Sequence, residues 1–208
     1  MRNCIFTAHC TEPICDKSCP KFAETSYLLE RNGINLNSFV FTDSSVPFAK
    51  AVSILHASDG AVGAVLVDNG KYSTVQWAEI LTYCAICENW QGNRLHCNVY
   101  NLKFSTYVEE IRKSWNTRSE SEQLEMMRIW AQSAKILIIS NFDYVGFNDF
   151  ESQTMLNLIQ SRETGDKTTI LVSMPPNRLV SNKWNQFMDV MRQRISDAAS
   201  VVKEGLKK

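Results

Sequence analysis

Apolar residues along this chain follow two different spacings, which alternate after about residue 60. Short continuous apolar runs predict buried strands, and stretches with an apolar residue every three or four positions predict helices. The run KILIIS at 135–140 is typical of a central parallel strand that is buried on both faces. Strands are predicted at 62–67, 95–102, 135–140 and 168–173. Helices are predicted at 21–32, 46–56, 74–90, 104–115, 121–134, 149–161 and about 185–202.

Strands that alternate with helices predict an α/β fold, here a three-layer sandwich on a mostly parallel sheet. We expect this domain to span residues 35–208, after a small cysteine-rich module with a short helix at 1–34. Ligands of such sheets bind beyond the carboxyl ends of the strands. The residues that follow Val67, Ile139 and Val172 are therefore the first candidates for a functional site.

The composition is ordinary for a globular chain, and the chain is not strongly basic. Of 208 residues, 44% are hydrophobic and 21% are charged, which is enough for one medium domain. Lysine plus arginine and aspartate plus glutamate both total 22, so no overall positive field attracts DNA or an anionic membrane. The apolar runs are too short to span a bilayer, and MRNCIFTAHC has no signal-peptide pattern. We expect a cytoplasmic protein without a membrane partner.

Four of the seven cysteines fall within the first 19 residues. Thiolates are the preferred structural ligands of zinc, and a short segment needs a metal to become ordered. The predicted zinc ligands are Cys4, Cys10, Cys15 and Cys19, with His9 as an alternative to Cys10. Unliganded thiols, two disulfides and an iron–sulfur cluster are the other interpretations of this spacing.

The remaining chemistry-bearing side chains predict no catalytic centre. Cys84 and Cys87 form a C-x-x-C pair within a predicted helix, where buried core cysteines are the expected interpretation. The three histidines, His9, His56 and His96, do not accompany a nucleophile and a carboxylate in any recognisable pattern. We therefore predict no catalytic residues.

Several strings in the order of these elements resemble one protein family. They are NSFVFTDSSVPFAKAV, NVYNLKFSTYVEEIRKSW, AKILIISNFDYVGFNDFESQTMLNLI and TTILVSMPPNRL, which fall between residues 37 and about 202. Their order resembles the AAA+ domain of bacterial and phage replicative-helicase loaders, and the cysteine-rich head resembles the zinc-bearing N-terminal region of one loader branch. The resemblance implies an AAA+-like sheet and a role in DNA replication.

The nucleotide-binding loop of that family is degenerate here. The string DNGKYSTV at 68–75 occupies the eight positions of G-x-x-x-x-G-K-[S/T]. Ser73 replaces the second glycine, Thr74 replaces the lysine, and Val75 replaces the Mg²⁺-binding hydroxyl residue. Losing that lysine removes the main cation on the β- and γ-phosphates. Moving the motif to Lys71 and Ser73 shortens the loop and leaves no room for amides to surround a phosphate.

Two further nucleotide motifs are also missing. The apolar strand that should end in an acidic pair ends in Ser140 and Asn141, and Asp143 lies three positions beyond Ser140. Ser173 stands where the family carries a polar residue, usually asparagine, that positions water. The vestigial candidates are thus Lys71, Ser73, Thr74 and Asp143. Three losses together predict a pseudo-ATPase that uses neither ATP nor Mg²⁺.

By resemblance, we expect a replication accessory protein that contacts a replicative helicase or a helicase loader, and DNA only through that complex. A homo- or hetero-oligomer is compatible with this role. The zinc head and the apolar residues of the helix after it, Ala23, Tyr27, Leu28 and Leu29, are expected to dock the partner.

Two other interpretations stay open. One is an active AAA+ ATPase, either a loader or a transposition helper, with a noncanonical site built from Lys71, Ser73 and Asp143. The other is a zinc-dependent DNA-binding regulator.

Overall fold

The computed structural model describes residues 20–34, 45–67, 72–91, 98–163, 166–195 and 202–204. The strands in these segments are β1 (Val62–Val67), β2 (Val99–Lys103), β3 (Ile136–Ser140), β4 (Thr168–Ser173) and β5 (Val202–Glu204). The helices are α1 (Pro20–Arg31), α2 (Ser45–Ala57), α3 (Thr74–Gln91), α4 (Phe104–Thr117), α5 (Glu122–Ser133), α6 (Asp149–Glu163) and α7 (Asn182–Arg194).

The five strands form one sheet in the order β2-β3-β4-β1-β5, and every neighbouring pair is parallel. In the centre of the sheet, Val62 of β1 is in register with Thr169 of β4. All residues of β1 and β4 are buried, as expected for parallel strands that are covered on both faces. The strand order places the carboxyl ends of β3, β4 and β1 side by side.

Helices cover both faces of the sheet. Alternate residues of β1 point to opposite faces: Val65 and Val67 pack with α1, α2 and α3, whereas Ala64 and Leu66 pack with α4 to α7. Two apolar clusters, one on each face, form the core. This arrangement confirms the predicted three-layer sandwich. Within the described segments, no helix is long and apolar enough to cross a membrane.

Local sequence sets several helix ends. Gly33 has φ = 69°, and the N–H groups of Gly33 and Ile34 donate to the carbonyls of Glu30 and Leu29, each at 2.8 Å. This pair of bonds closes the C-terminus of α1 in a Schellman motif, for which glycine is suited because it adopts positive φ without strain. The side chains of Ser121 and Ser181 cap the N-termini of α5 and α7.

A buried arginine joins three elements on the α4–α7 face. Arg162 is only 1% exposed, and its guanidinium donates to the carbonyl of Ala131, the carbonyl of Thr168 and the hydroxyl of Thr169. Burial lowers the pKa of Arg162 to about 10. All three acceptors are neutral, so hydrogen bonds to neutral groups compensate the buried charge. The bonds link α6 to α5 and β4.

The outer edge of β2 is covered by one side chain. The amide of Asn32, which follows α1, accepts the N–H of Asn101 at 2.6 Å and donates to the carbonyl of Val99 at 3.4 Å. It also donates to the carbonyl of Leu28 at 2.7 Å, and Asn32 is 3% exposed. The end of α1 is thereby fastened to the sheet.

The C-terminal part of the chain differs from the sequence prediction. The sequence predicts a helix over about 185–202 and a solvated end after it, whereas α7 ends at Arg194 and residues 202–204 form β5. This strand pairs with Val65, Leu66 and Val67, so it supplies the backbone partners that the buried outer side of β1 needs. The prediction of a frayed end is wrong for Val202–Glu204.

The first helix is also more buried than the sequence predicts. Leu28 and Leu29 are 7% and 0% exposed and belong to the core cluster beneath α3. The expectation that these two leucines dock a partner is therefore wrong, because they are used within the domain. Tyr27 of the same helix is 61% exposed.

Candidate functional site

The N-terminus of α3 is capped by side chains of its own first turn. The N–H of Ser73 donates to Oε1 of Gln76 at 2.8 Å, and the N–H of Gln76 donates to Oγ of Ser73 at 3.2 Å. This reciprocal pair is a capping box. In phosphate-binding folds, amides at this end of the helix point at the anion. Here two of those amides already have side-chain partners.

Thr74, the residue in the lysine position, is the first residue of α3. Its side chain is hydrogen-bonded to the hydroxyl of Tyr144, from the loop after β3. The same hydroxyl accepts the N–H of Met174, the first residue after β4, at 3.2 Å. A single phenol thus connects α3, the β3–α6 loop and the end of β4, which are the three elements that meet at the carboxyl edge of the sheet.

The ring of Tyr144 is fixed by aromatic packing. Its centroid lies 4.9 Å from that of Trp184 in an edge-on arrangement, and 5.8 Å from that of Phe142. The carbonyl of Tyr144 accepts the N–H of Ser181 at 2.8 Å, which fastens the loop to the start of α7. The phenol therefore occupies its place as part of a packed cluster.

Burial raises the pKa of Tyr144 to about 12, against the lowering effects of the Met174 N–H and the Thr74 side chain. The phenol stays neutral at physiological pH. It fills the edge of the sheet with a hydroxyl group and supplies no cation, where a phosphate site needs positive charge.

The end of β3 carries no acidic pair. Ser140 is 2% exposed and donates its hydroxyl to Oδ1 of Asn101 at 3.2 Å. Asn141 adopts a left-handed conformation with φ = 58°, and its carbonyl accepts both the N–H and the hydroxyl of Ser105, at 3.0 and 2.6 Å. Both residues are committed to the structure of the sheet and of α4.

Asp143, the remaining acidic candidate, lies on the side of the loop that packs against α4 and α6. Its carboxylate accepts the N–H of Gly146 at 2.9 Å. It lines a small cavity on the α4–α6 side together with Arg112 and Glu151. Arg112 and Glu151 form an ion pair of 3.0 Å, and desolvation raises the pKa of Glu151. The structure thus brings Thr74 to Tyr144, whereas the carboxylate of the neighbouring Asp143 contacts Gly146 and lines the α4–α6 cavity.

The last residue of β4 is also inaccessible to a ligand. Ser173 is fully buried, and its hydroxyl has no hydrogen-bond partner among the described residues. Ser73 is exposed and bound in the capping box, whereas Lys71 lies outside the described residues. Sequence reasoning missed Tyr144 because nothing in NFDYVGF marks the tyrosine that returns to α3. The capping box, by contrast, can be recognised in the string STVQ.

The proposed zinc ligands Cys4, His9, Cys10, Cys15 and Cys19 lie outside the described residues. Among the described residues, no three histidine, cysteine, aspartate or glutamate side chains are grouped to hold a metal ion. Cys84 is 3% exposed, which confirms the core interpretation for that cysteine.

Comparison with known proteins supports the class of this fold. No family model and no curated protein matches the chain. A solved structure of the replication initiator DnaA, bound to AMPPCP and single-stranded DNA, is similar over 92% of this chain, with a TM-score of 0.50 and 15% identity. AMPPCP-bound DnaA from Aquifex aeolicus is similar over 77% of the chain, with a TM-score of 0.46 and 11% identity.

The similarity defines an AAA+-like α/β fold, in agreement with the parallel five-stranded order of the described sheet. This chain matches 52% and 45% of the two DnaA chains, so it spans about half of their length. At 15% identity the similarity concerns the fold alone.

Proposed function

We propose that this chain is a DNA-replication accessory protein that acts by contact with a replicative helicase or its loader and does not turn over ATP. The AAA+-like body serves as a structural unit, and the four N-terminal cysteines hold a zinc ion that shapes the segment before α1. DNA is reached through the assembled complex.

The observation that carries the proposal is the filling of the carboxyl edge by the chain's own side chains. Tyr144 occupies the junction of α3 and β4 through Thr74 and Met174, and the capping box occupies the start of α3. An active site for phosphoryl transfer needs a cation, a metal-binding acid and space for the phosphates at this edge. The side chains described there provide neither of the two charged groups.

The first experiment is titration calorimetry of the full chain with ATP and with ADP, each with Mg²⁺, with the zinc content measured on the same sample. We expect no nucleotide binding up to roughly millimolar concentration. Binding with a micromolar dissociation constant would instead support the active ATPase with a noncanonical site, and hydrolysis by the wild type would then be compared with that of Lys71→Ala.

The second experiment tests the partner. The chain is mixed with a purified replicative helicase, and separately with its loader, and analysed by size-exclusion chromatography without nucleotide. We expect co-elution with one of the two, unchanged by added ATP. Elution apart from both proteins, together with salt-dependent binding of the chain alone to DNA, would favour the DNA-binding regulator.

A further inference from the structure

A cavity of about 480 Å³ lies at the β2 edge of the sheet. The end of α1, strand β2, the first turn of α4 and one side of α5 form its walls. We call it the β2-edge groove, and the lining residues that matter here are Arg31, Tyr100, Lys103, Met127 and Trp130. Tyr144 and the first turn of α3 do not line it, so it is separate from the carboxyl-edge site. Its size falls within the roughly 300–1,000 Å³ of ordinary ligand pockets.

Arg31 is a cation that has no anionic partner among the described residues. Its guanidinium carbon lies 5.0 Å from the ring centroid of Trp130, so the group is stacked on the indole. Its Nε atom is buried and has no hydrogen-bond partner among the described residues. None of the ion pairs in the described part of the chain includes Arg31. The buried Nε is not accessible from outside, but the terminal N–H groups of this guanidinium can donate charge-assisted hydrogen bonds to an anion in the groove.

Lys103 supplies a second positive charge. Its Nζ lies 3.1 Å from the place that a Cβ atom on Gly33 would occupy, so the ammonium lies against the glycine at the end of α1. Lys103 lowers the pKa of Glu79 electrostatically, although burial raises that pKa overall, and the two do not form an ion pair. Lys103 is therefore available to strengthen binding at Arg31.

Beside polar lining residues, the groove has an apolar part formed by Tyr100, Met126, Met127 and Trp130. Tyr100 and Trp130 pack edge to face with their ring centroids 5.5 Å apart, and Tyr100 and Met127 are 5% and 7% exposed. Tryptophan, tyrosine and arginine are the residues that contribute most to binding at protein interfaces. The occupant should thus combine one negative charge with an apolar body.

One feature favours a carboxylate over a phosphate or a nucleic acid. The negatively charged Glu122 is among the residues that line the groove. A polyanion is repelled more strongly by this carboxylate than a single carboxylate is. The Asn32 amide already occupies the outward N–H of Asn101 and carbonyl of Val99, so a partner strand cannot pair there.

We propose that the β2-edge groove binds an acidic residue and its apolar neighbour from a partner protein, with the carboxylate on Arg31. The identity of that partner as the helicase or its loader rests on the function proposed above, whereas the carboxylate pocket does not. The two can therefore fail separately.

The probe for the pocket is 4-phenylbutanoate, compared with its neutral amide and with phenyl phosphate. Each is added to the ¹⁵N-labelled full chain, and the five tryptophan indole signals are followed by NMR, with that of Trp130 assigned through Trp130→Phe. We expect saturable shifts of the Trp130 signal with 4-phenylbutanoate and roughly tenfold weaker binding of the amide, as for loss of a charge-assisted hydrogen bond. Equal binding of acid and amide, tighter binding of phenyl phosphate, or no shift with any probe would overturn the proposal.

Variants connect the pocket to the partner. Arg31→Gln should abolish the shifts, and Lys103→Gln should weaken binding several-fold, which keeps the test informative if Arg31→Gln is unstable. Lys183→Gln, which removes a lysine paired with Asp149 outside the groove, is the matched control and should bind like the wild type. If 4-phenylbutanoate binds but Arg31→Gln still co-elutes with the partner as the wild type does, the groove is not the docking site.

Discussion

The hydroxyl of Tyr144 lies 3.2 Å from the backbone nitrogen of Met174, and through this contact the loop after β3 is joined to the end of β4. The contact lies at the edge of the sheet where related α/β folds bind their ligands. The same hydroxyl reaches the first residue of α3. The packing of α3, the loop after β3 and the end of β4 at the carboxyl edge therefore depends on the hydroxyl of Tyr144.

Tyr144→Phe should destabilise the protein, because the partly buried N–H of Met174 and the side chain of Thr74 lose their partner. We expect a decrease of about 1–3 kcal/mol in the free energy of unfolding, measured by urea denaturation. Tyr27→Phe removes an exposed hydroxyl and should stay within about 0.5 kcal/mol of the wild type. Equal stability of Tyr144→Phe and the wild type would show that the hydroxyl does not join these elements.

The capping box predicts strong coupling between its two side chains. Ser73→Ala and Gln76→Ala should each cost about 0.5–2 kcal/mol, and the double variant should cost less than the sum, because either change breaks the reciprocal pair. Gln76→Glu keeps the acceptor and places a negative charge at the helix N-terminus, so it should be at least as stable as the wild type. Additive losses in the double-mutant cycle would contradict the reciprocal bonding.

Alkaline pH should destabilise the fold through its buried phenols. Burial raises the pKa of both Tyr144 and Tyr100 to about 12 in the folded state, against an ordinary value of about 10. Their stabilisation is fully present below pH 10 and is lost between about pH 10 and 12, since only the unfolded chain ionises there. Each tyrosine should contribute roughly 1.4 kcal/mol of loss per pH unit. Denaturation at a series of pH values checks this. Between about pH 10 and 12 the wild type should lose roughly 1.4 kcal/mol per pH unit more than Tyr144→Phe. Other titrating groups such as Arg162 contribute equally in both proteins and cancel from this difference.

Arg162 is predicted to be essential for packing α6. Arg162→Met leaves the carbonyls of Ala131 and Thr168 without their donor and should cost about 2–4 kcal/mol. Arg194→Met, which removes a surface ion pair with Glu163, is the matched control and should cost less than about 1 kcal/mol. Similar thermal stabilities of the two variants would refute the role given to the buried guanidinium.

The N-terminal cysteines are expected to bind one zinc ion per chain. Metal analysis of the purified protein should give this ratio for the wild type and for Cys84→Ala, and a lower ratio for Cys15→Ser. A ratio near zero in protein purified under reducing conditions would eliminate the zinc module. An iron signal would favour the cluster instead.

The sequence predicts most of the fold because its apolar pattern is regular. β1 and β4 begin and end where the pattern predicts, and the sandwich follows from their alternation with helices. β5 was missed because a three-residue strand carries too little pattern to be separated from the helix before it. Its position depends on the backbone of β1, which no local signal encodes.

Of the candidate site, the sequence predicts only which nucleotide-binding residues are absent. The absence of the lysine and of the acidic pair is visible in DNGKYSTV and in the residues after ILII. What replaces them is not, because Tyr144 and Thr74 are 70 positions apart by their numbers and meet only when the loop after β3 folds back. Arg162 was missed for the same reason, since an arginine in a helix is ordinarily expected at the surface.

The self-capped start of α3 also has a thermodynamic consequence. A protein that needs a ligand to complete a helix end gains stability with ligand concentration, and its shape then follows the supply of that ligand. Ser73 and Gln76 provide the completing groups at a fixed, intramolecular concentration. The order of the first turn of α3 is thus independent of the concentration of any ligand.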